Sequence, residues 1–170
     1  MHKVKSGLDI LSENVSWQKK ISGKIGYLCH SASVDSKLYF GVDRLKDLFG
    51  ERLIKLFGPQ HGFVTDLQDN MIETEDFIHP YYKIPVYSLY SATRIPTPEM
   101  LKDIDTLIID LQDVGCRIYT YIHTMTLTLE ACQKLGKKVF ILDRINPIGG
   151  EIIEGNILKP EFRSFVGRYP

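Results

Sequence analysis

The 170 residues are enough for one domain with its own core and too few for two ordinary ones. Lys plus Arg balance Asp plus Glu at 21 each, so no net field draws nucleic acid or an anionic membrane, and a basic-patch nucleic-acid binder is disfavoured. Hydrophobic residues at 44% and charged residues at 25% are those of a globular domain, and no apolar run approaches bilayer-spanning length.

Short β-branched runs alternate with amphipathic stretches, the pattern of a parallel sheet with crossover helices. The start, Met1-His2-Lys3-Val4-Lys5, leads into no apolar run of leader length. A cytoplasmic location is therefore expected, with a periplasmic or secreted one as the alternative. Leu8 to Val15 reads as a first helix, with Leu8, Leu11 and Val15 on one face. Lys24 to Cys29 reads as a strand, Gly41 to Phe49 as a helix and Arg52 to Phe57 as a second strand. Residues 59 to 83 form a long polar stretch with few order signals. Pro85 to Leu89 is a third strand. Thr97-Pro98 opens a helix, Thr as the cap and Pro in the first turn. Thr106 to Asp110 is a fourth strand, apolar enough to be covered on both faces. Tyr121 to Leu135 is the longest helix, closed by Gly136. Lys138 to Leu142 is a fifth strand, and the remainder reads as mostly irregular. Of the three cysteines, Cys29 and Cys132 fall in apolar runs and read as buried. None has the spacing of a zinc or redox pair.

The polar residues collect at strand ends. These are His30-Ser31, Gln60-His61, Ser88-Leu89-Tyr90, Asp110-Leu111-Gln112-Asp113 and Asp143-Arg144-Ile145-Asn146. In an open parallel sheet all carboxyl ends share one edge, and the crevice there binds ligands. His30, His61, Asp110, Asp113, Asp143, Arg144 and Asn146 are thus expected to converge. The plain alternative is that they cap helices and satisfy loop backbone.

Several chemistries are missing. The turn after the first strand has no glycine and so no dinucleotide fingerprint. There is no P-loop, no G-x-S-x-G elbow and no H-E-x-x-H. Neither a cofactor nor a metal is expected. The long loop carries Asp66, Asp69, Glu73, Glu75 and Asp76 among Phe63, Met71, Ile72 and Phe77. Apolar neighbours can keep a carboxyl protonated near neutrality, as a general acid for glycoside cleavage requires. A solvated acidic lid is the competing reading.

The motifs Leu56-Phe57-Gly58-Pro59-Gln60-His61-Gly62-Phe63, Pro85-Val86-Tyr87-Ser88-Leu89-Tyr90 and Pro96-Thr97-Pro98-Glu99-Met100-Leu101 carry a resemblance. So do Ile109-Asp110-Leu111-Gln112-Asp113-Val114-Gly115-Cys116-Arg117-Ile118-Tyr119-Thr120-Tyr121, Leu142-Asp143-Arg144-Ile145-Asn146-Pro147-Ile148-Gly149-Gly150, Glu154-Gly155 and Ser164-Phe165-Val166-Gly167. Together they resemble the bacterial exo-β-N-acetylmuramidases, long carried as a domain of unknown function. The resemblance runs from about Gly7 to the last residue. It implies an α/β fold, a three-layer Rossmann-like catalytic domain with a mostly parallel sheet of about five or six strands. It also implies a smaller C-terminal domain that this chain lacks, a cleft between the two, and no nucleotide. The implied activity is release of N-acetylmuramic acid from non-reducing ends of peptidoglycan fragments. Three departures stand out. Gln60 replaces a common Glu, His123 replaces a common Ser, and the C-terminal half is absent.

On this reading Glu73 is the general acid, with His61 and Asp110 as orienting groups or a base. The lactyl carboxylate of a muramic acid calls for a guanidinium, and Arg117 and Arg144 lead Arg94 for that role. Tyr119 and Tyr121 are candidates to stack on a sugar face. Gln112, His30 and Asn146 complete the candidate binding set. Retention, inversion and participation by the substrate's acetamido group all remain open. A non-catalytic amino-sugar-binding module or an inactive fragment is the alternative to an enzyme. The partners expected are a peptidoglycan-derived amino sugar and the missing C-terminal domain, with neither nucleic acid nor membrane.

Overall fold

A computed structural model describes residues 4–66 and 72–169. Its sheet has six strands in the order β3-β4-β2-β1-β5-β6. They are β1 (Ile25–Leu28), β2 (Leu53–Gly58), β3 (Phe77–Ile78), β4 (Pro85–Ser88), β5 (Thr106–Ile109) and β6 (Lys138–Ile141). All neighbours are parallel except β3, which runs antiparallel to β4 with Phe77 opposite Val86 and Ile78 opposite Pro85. The chain builds outward from β1 through β2 to β4, then crosses to the other side of β1 for β5 and β6. The reversal of direction lies between β1 and β5, where ligands of open α/β sheets dock.

The helices are α1 (Gly7–Glu13), α2 (Val15–Lys20), α3 (Gly41–Phe49), α4 (Pro98–Leu101) and α5 (Thr120–Lys134). The single first helix expected through Val15 is two helices. Ser6 and Asp9 form a reciprocal capping box that starts α1. Asn14 then ends α1 and caps α2, its side chain accepting from the Ser16 amide at 2.9 Å. Leu8 and Leu11 are buried, but Val15, beyond the break, is exposed. The span expected for α3 matches the structure at both ends. Thr97 caps α4 through its hydroxyl, as anticipated. Gly136 takes a left-handed φ of 63° after α5, and the Lys137 amide closes back on the Cys132 carbonyl at 2.9 Å.

Each face of the sheet buries its own core. On one side Leu8, Leu11, Val42, Leu45 and Phe49 pack on Ile25, Tyr27, Leu56 and Ile108. On the other Leu101, Ile104, Ala131 and Cys132 pack on Leu28, Phe57, Leu107 and Ile109. The result is the three-layer α/β arrangement, with polar strand tips along one edge. Cys29 is buried as expected, and Cys116 is exposed. No described helix is long and apolar enough to cross a membrane.

Candidate active site

At the direction reversal the carboxyl tips of β1 and β5 are joined by a buried ionic frame. Asp110 is fully buried. Arg144 donates to it through Nε at 2.6 Å and Nη2 at 2.9 Å, and the Tyr27 hydroxyl donates at 2.6 Å. Arg144 also donates through both Nη atoms to the Val34 carbonyl. Ser33 Oγ donates to the Asp110 carbonyl at 2.6 Å, tying the loop after β1 to the tip of β5. Burial and then the neighbouring Asp110 charge push the Tyr27 phenol well above its ordinary range. Both Asp110 oxygens are engaged and the residue has no exposed surface, so the structure places this expected orienting group or base in a bracing role. Arg144, an expected partner of the substrate carboxylate, directs its paired N–H edge at Asp110.

His30 stands beside this frame, buried, with its ring edge-on to Tyr121 at 4.7 Å between centroids. Burial, then the positive charge of Arg144, lowers its imidazole to about 4, so the ring is neutral near pH 7. Its Nδ1 accepts from the Ala32 amide at 3.4 Å, and its buried Nε2 has no hydrogen-bond partner among the described residues. Gln60, at the adjacent tip of β2, is also buried, and its Oε1 has no hydrogen-bond partner among the described residues. Such atoms cost about 1–3 kcal/mol each, and in native proteins each calls for a reason, catalysis among them. Two of them on neighbouring strand tips mark this side of the edge. His61, one residue on, is half-buried at a φ of 70°.

The returning limb of the acidic loop is hydrogen-bonded to the sheet. Asp69 and Met71 lie outside the described residues, but from Ile72 onward the chain is fastened to β4. The Thr74 amide donates to the Tyr90 carbonyl at 3.1 Å. The Thr74 and Ser88 hydroxyls share a hydrogen bond, and the Ser88 amide donates to Asp76 at 2.7 Å. The β3–β4 pairing continues the seam. Glu73 is thereby carried to the tip of β4. Its side chain is 59% exposed and lies 3.5 Å from Arg94 Nη1. The Arg94 guanidinium sits over the Tyr90 ring at 3.8 Å from the centroid, and Nη1 also donates to the Ser91 carbonyl.

The remaining candidates hold loops together. Gln112 Nε2 donates to the carbonyls of Asp113 and Ile145, binding the loops after β5 and β6. Asn146 accepts from the Ile148 amide at 3.2 Å, a local turn. Arg117 is exposed and donates to the Asn156 carbonyl. Tyr121, expected to stack on a sugar, is only 3% exposed and packs against the His30 ring. Tyr119, 4.8 Å from it, stays half-buried. His123 bonds the Arg117 carbonyl at 2.7 Å.

The expected common hollow is three. Asp113, Asp143, Arg144 and Asn146 border one of about 700 Å³ near Trp17 and Phe140. His30 borders a second near Phe40 and Phe63, and Glu73 a third near Thr74 and Ser88. Sheet width explains the division. The β4 and β6 tips are four strand intervals apart, about 19 Å at strand spacing, too far for one sugar. The β4, β2 and β1 tips are neighbours, and they carry Glu73, Gln60, His61 and His30. Sequence reasoning overlooked Tyr27. The signal was a phenol in a central apolar strand, which needs a buried acceptor. Among the described residues no cluster of His, Cys, Asp or Glu fits a metal ion.

A mostly parallel six-stranded sheet covered by helices, with polar strand tips along its carboxyl edge, defines an α/β domain of Rossmann-like build. Residues 25–170 match the family model described as exo-beta-N-acetylmuramidase NamZ, N-terminal, and the chain belongs to that family. It is 46% identical over 169 residues to the peptidoglycan beta-N-acetylmuramidase NamZ of Bacillus subtilis (strain 168), covering 99% of this chain and 40% of that protein. Two crystal structures of DUF1343 family proteins from Bacteroides fragilis NCTC 9343 share the fold. One has a TM-score of 0.84 at 40% identity, over 96% of this chain and 40% of its own. The other has 0.75 at 29%, over 98% and 41%. The chain therefore spans about 40% of the length of the curated relative it matches.

Proposed function

We propose that this domain serves hydrolysis of the glycosidic bond that releases N-acetylmuramic acid from non-reducing ends of peptidoglycan fragments. The relative's name as a peptidoglycan muramidase supports the substrate class. The observation that carries the reading is Glu73, which the seam to β4 holds beside Arg94 at the sheet edge. A carboxyl group fastened to the tip of β4, on the side of the sheet whose neighbouring tips carry Gln60 and His30, has the makings of a glycosidase acid. Asp110, Arg144 and Tyr27 hold the tips of β1 and β5 together.

Because the chain spans part of its relatives, the activity is proposed for a protein of their full length. In such a protein Glu73→Gln is expected to lower turnover of a chromogenic β-N-acetylmuramide by at least a thousandfold with folding kept. Wild-type turnover by that variant removes Glu73 from the chemistry. Saturable binding of N-acetylmuramic acid by full-length protein that hydrolyses nothing supports a binding module instead.

A further inference from the structure

The muramic acid sugar differs from N-acetylglucosamine by one group, a lactyl ether ending in a carboxylate. A site that prefers the first needs a cation placed to read that carboxylate, best a guanidinium with two parallel N–H bonds to give. Arg144 has that edge on Asp110, and Arg117 has Nη2 on the Asn156 carbonyl. Arg94 is different. Its plane is fixed by the Tyr90 ring and the Ser91 carbonyl, its side chain is 31% exposed, and its hydrogen bond and ion pair among the described residues involve Nη1 alone. The Nε–Nη2 edge, the one that pairs with a carboxylate, carries no hydrogen bond among those residues. Stacking on Tyr90 limits the rotamer entropy lost when that edge is taken up.

We propose that Arg94 is the specificity-determining residue, binding the lactyl carboxylate through its Nε–Nη2 edge while Nη1 stays beside Glu73. The proposal rests on the glycosidase reading of Glu73 and extends it. The lactyl carboxylate then accepts two N–H bonds from a guanidinium whose plane is already held by Tyr90 and Ser91. A glucosaminide lacks the second carboxylate and leaves Glu73 paired with Arg94. Discrimination then follows from the two N–H bonds that only the muramide can accept.

The experiment uses full-length enzyme with chromogenic β-N-acetylmuramide and β-N-acetylglucosaminide, and with the muramide whose lactyl carboxyl is converted to an amide. Wild type is expected to favour the muramide. Arg94→Ala is expected to reduce that preference at least tenfold by slowing the muramide, and Arg94→Lys to recover part of it. The lactyl amide is expected to react with wild type as slowly as the glucosaminide, a result that needs no variant to fold. An unchanged preference in Arg94→Ala, or an amide as good as the acid, overturns the proposal. An inactive Glu73→Gln alongside either result leaves the glycosidase reading standing without it. An active Glu73→Gln overturns both.

Discussion

A methyl group added at Gly41 would lie 2.1 Å from the Tyr27 hydroxyl and 2.9 Å from the Ser33 carbonyl oxygen. The first residue of α3 is therefore a glycine because the phenol that anchors Asp110 passes against it, and its own φ is unexceptional. Gly41→Ala must push Tyr27 off Asp110 or shift the helix. It is expected to cost about 1–3 kcal/mol, as overpacking of a tight site does. Urea denaturation checks this, and an unchanged midpoint refutes it. His30 sets a pH dependence of the opposite sort. In the unfolded chain its imidazole takes a proton as pH falls through its ordinary 6.5, but in the folded chain only near 4. Between those values the unfolded state binds more protons, so stability falls as pH falls and rises with pH across that window. His30→Gln is expected to flatten the slope between pH 6.5 and 4. Asp9, whose carboxyl the hydrogen bonds from Ser36 and Ser6 hold at about 2 against the upward push of burial, acts below that window.

The seam between the returning limb of the loop and β4 is the element on which the site depends. Its bonds run from the Thr74 amide through Asp76 to the Phe77–Val86 pair. Asp76→Ala removes the acceptor of the Ser88 amide, and about 1 kcal/mol of local stability should go with it. Amide hydrogen exchange at Thr74 is expected to quicken several-fold while β1 and β5 stay protected. Equal quickening throughout the sheet shows that the seam is no separate unit. This element was not legible in the sequence. Phe77 and Ile78 are both exposed, so two residues of strand leave no burial pattern, and the acidic side chains around them read as solvated. By contrast α3 was legible at both ends, since Val42, Leu45 and Phe49 recur at helical spacing and are buried. The break at Asn14 was hidden because one side chain serves as an end and a start, and apolar periodicity does not register it.

At the scale of the whole molecule, the fold class was legible because alternation of strand and helix leaves few architectures. That polar tips share an edge follows from parallel strands. That they do not share a pocket follows from strand order, which no local pattern encodes. His30 and Gln60 fall together because β1 and β2 are neighbours, while Asn146 falls away because β6 lies on the far side of β5. The second half of the chain also departs from an ordinary surface. Ile152, Ile153 and Ile157 are each more than 80% exposed, and Ile148 and Phe162 nearly as open. Apolar groups gathered so densely in water usually belong to a contact.

The two margins of the sheet are unequal. Past β4 lies a two-residue antiparallel strand bordered by Pro80 and Pro85, a blunt boundary that gives a newcomer little backbone to pair with. Past β5 lies β6, four residues long and parallel, with its outer row of amides and carbonyls facing away from the sheet. Lateral growth is thus one-sided: polypeptide that lengthens this sheet joins alongside Ile141 and leaves the Glu73 margin undisturbed.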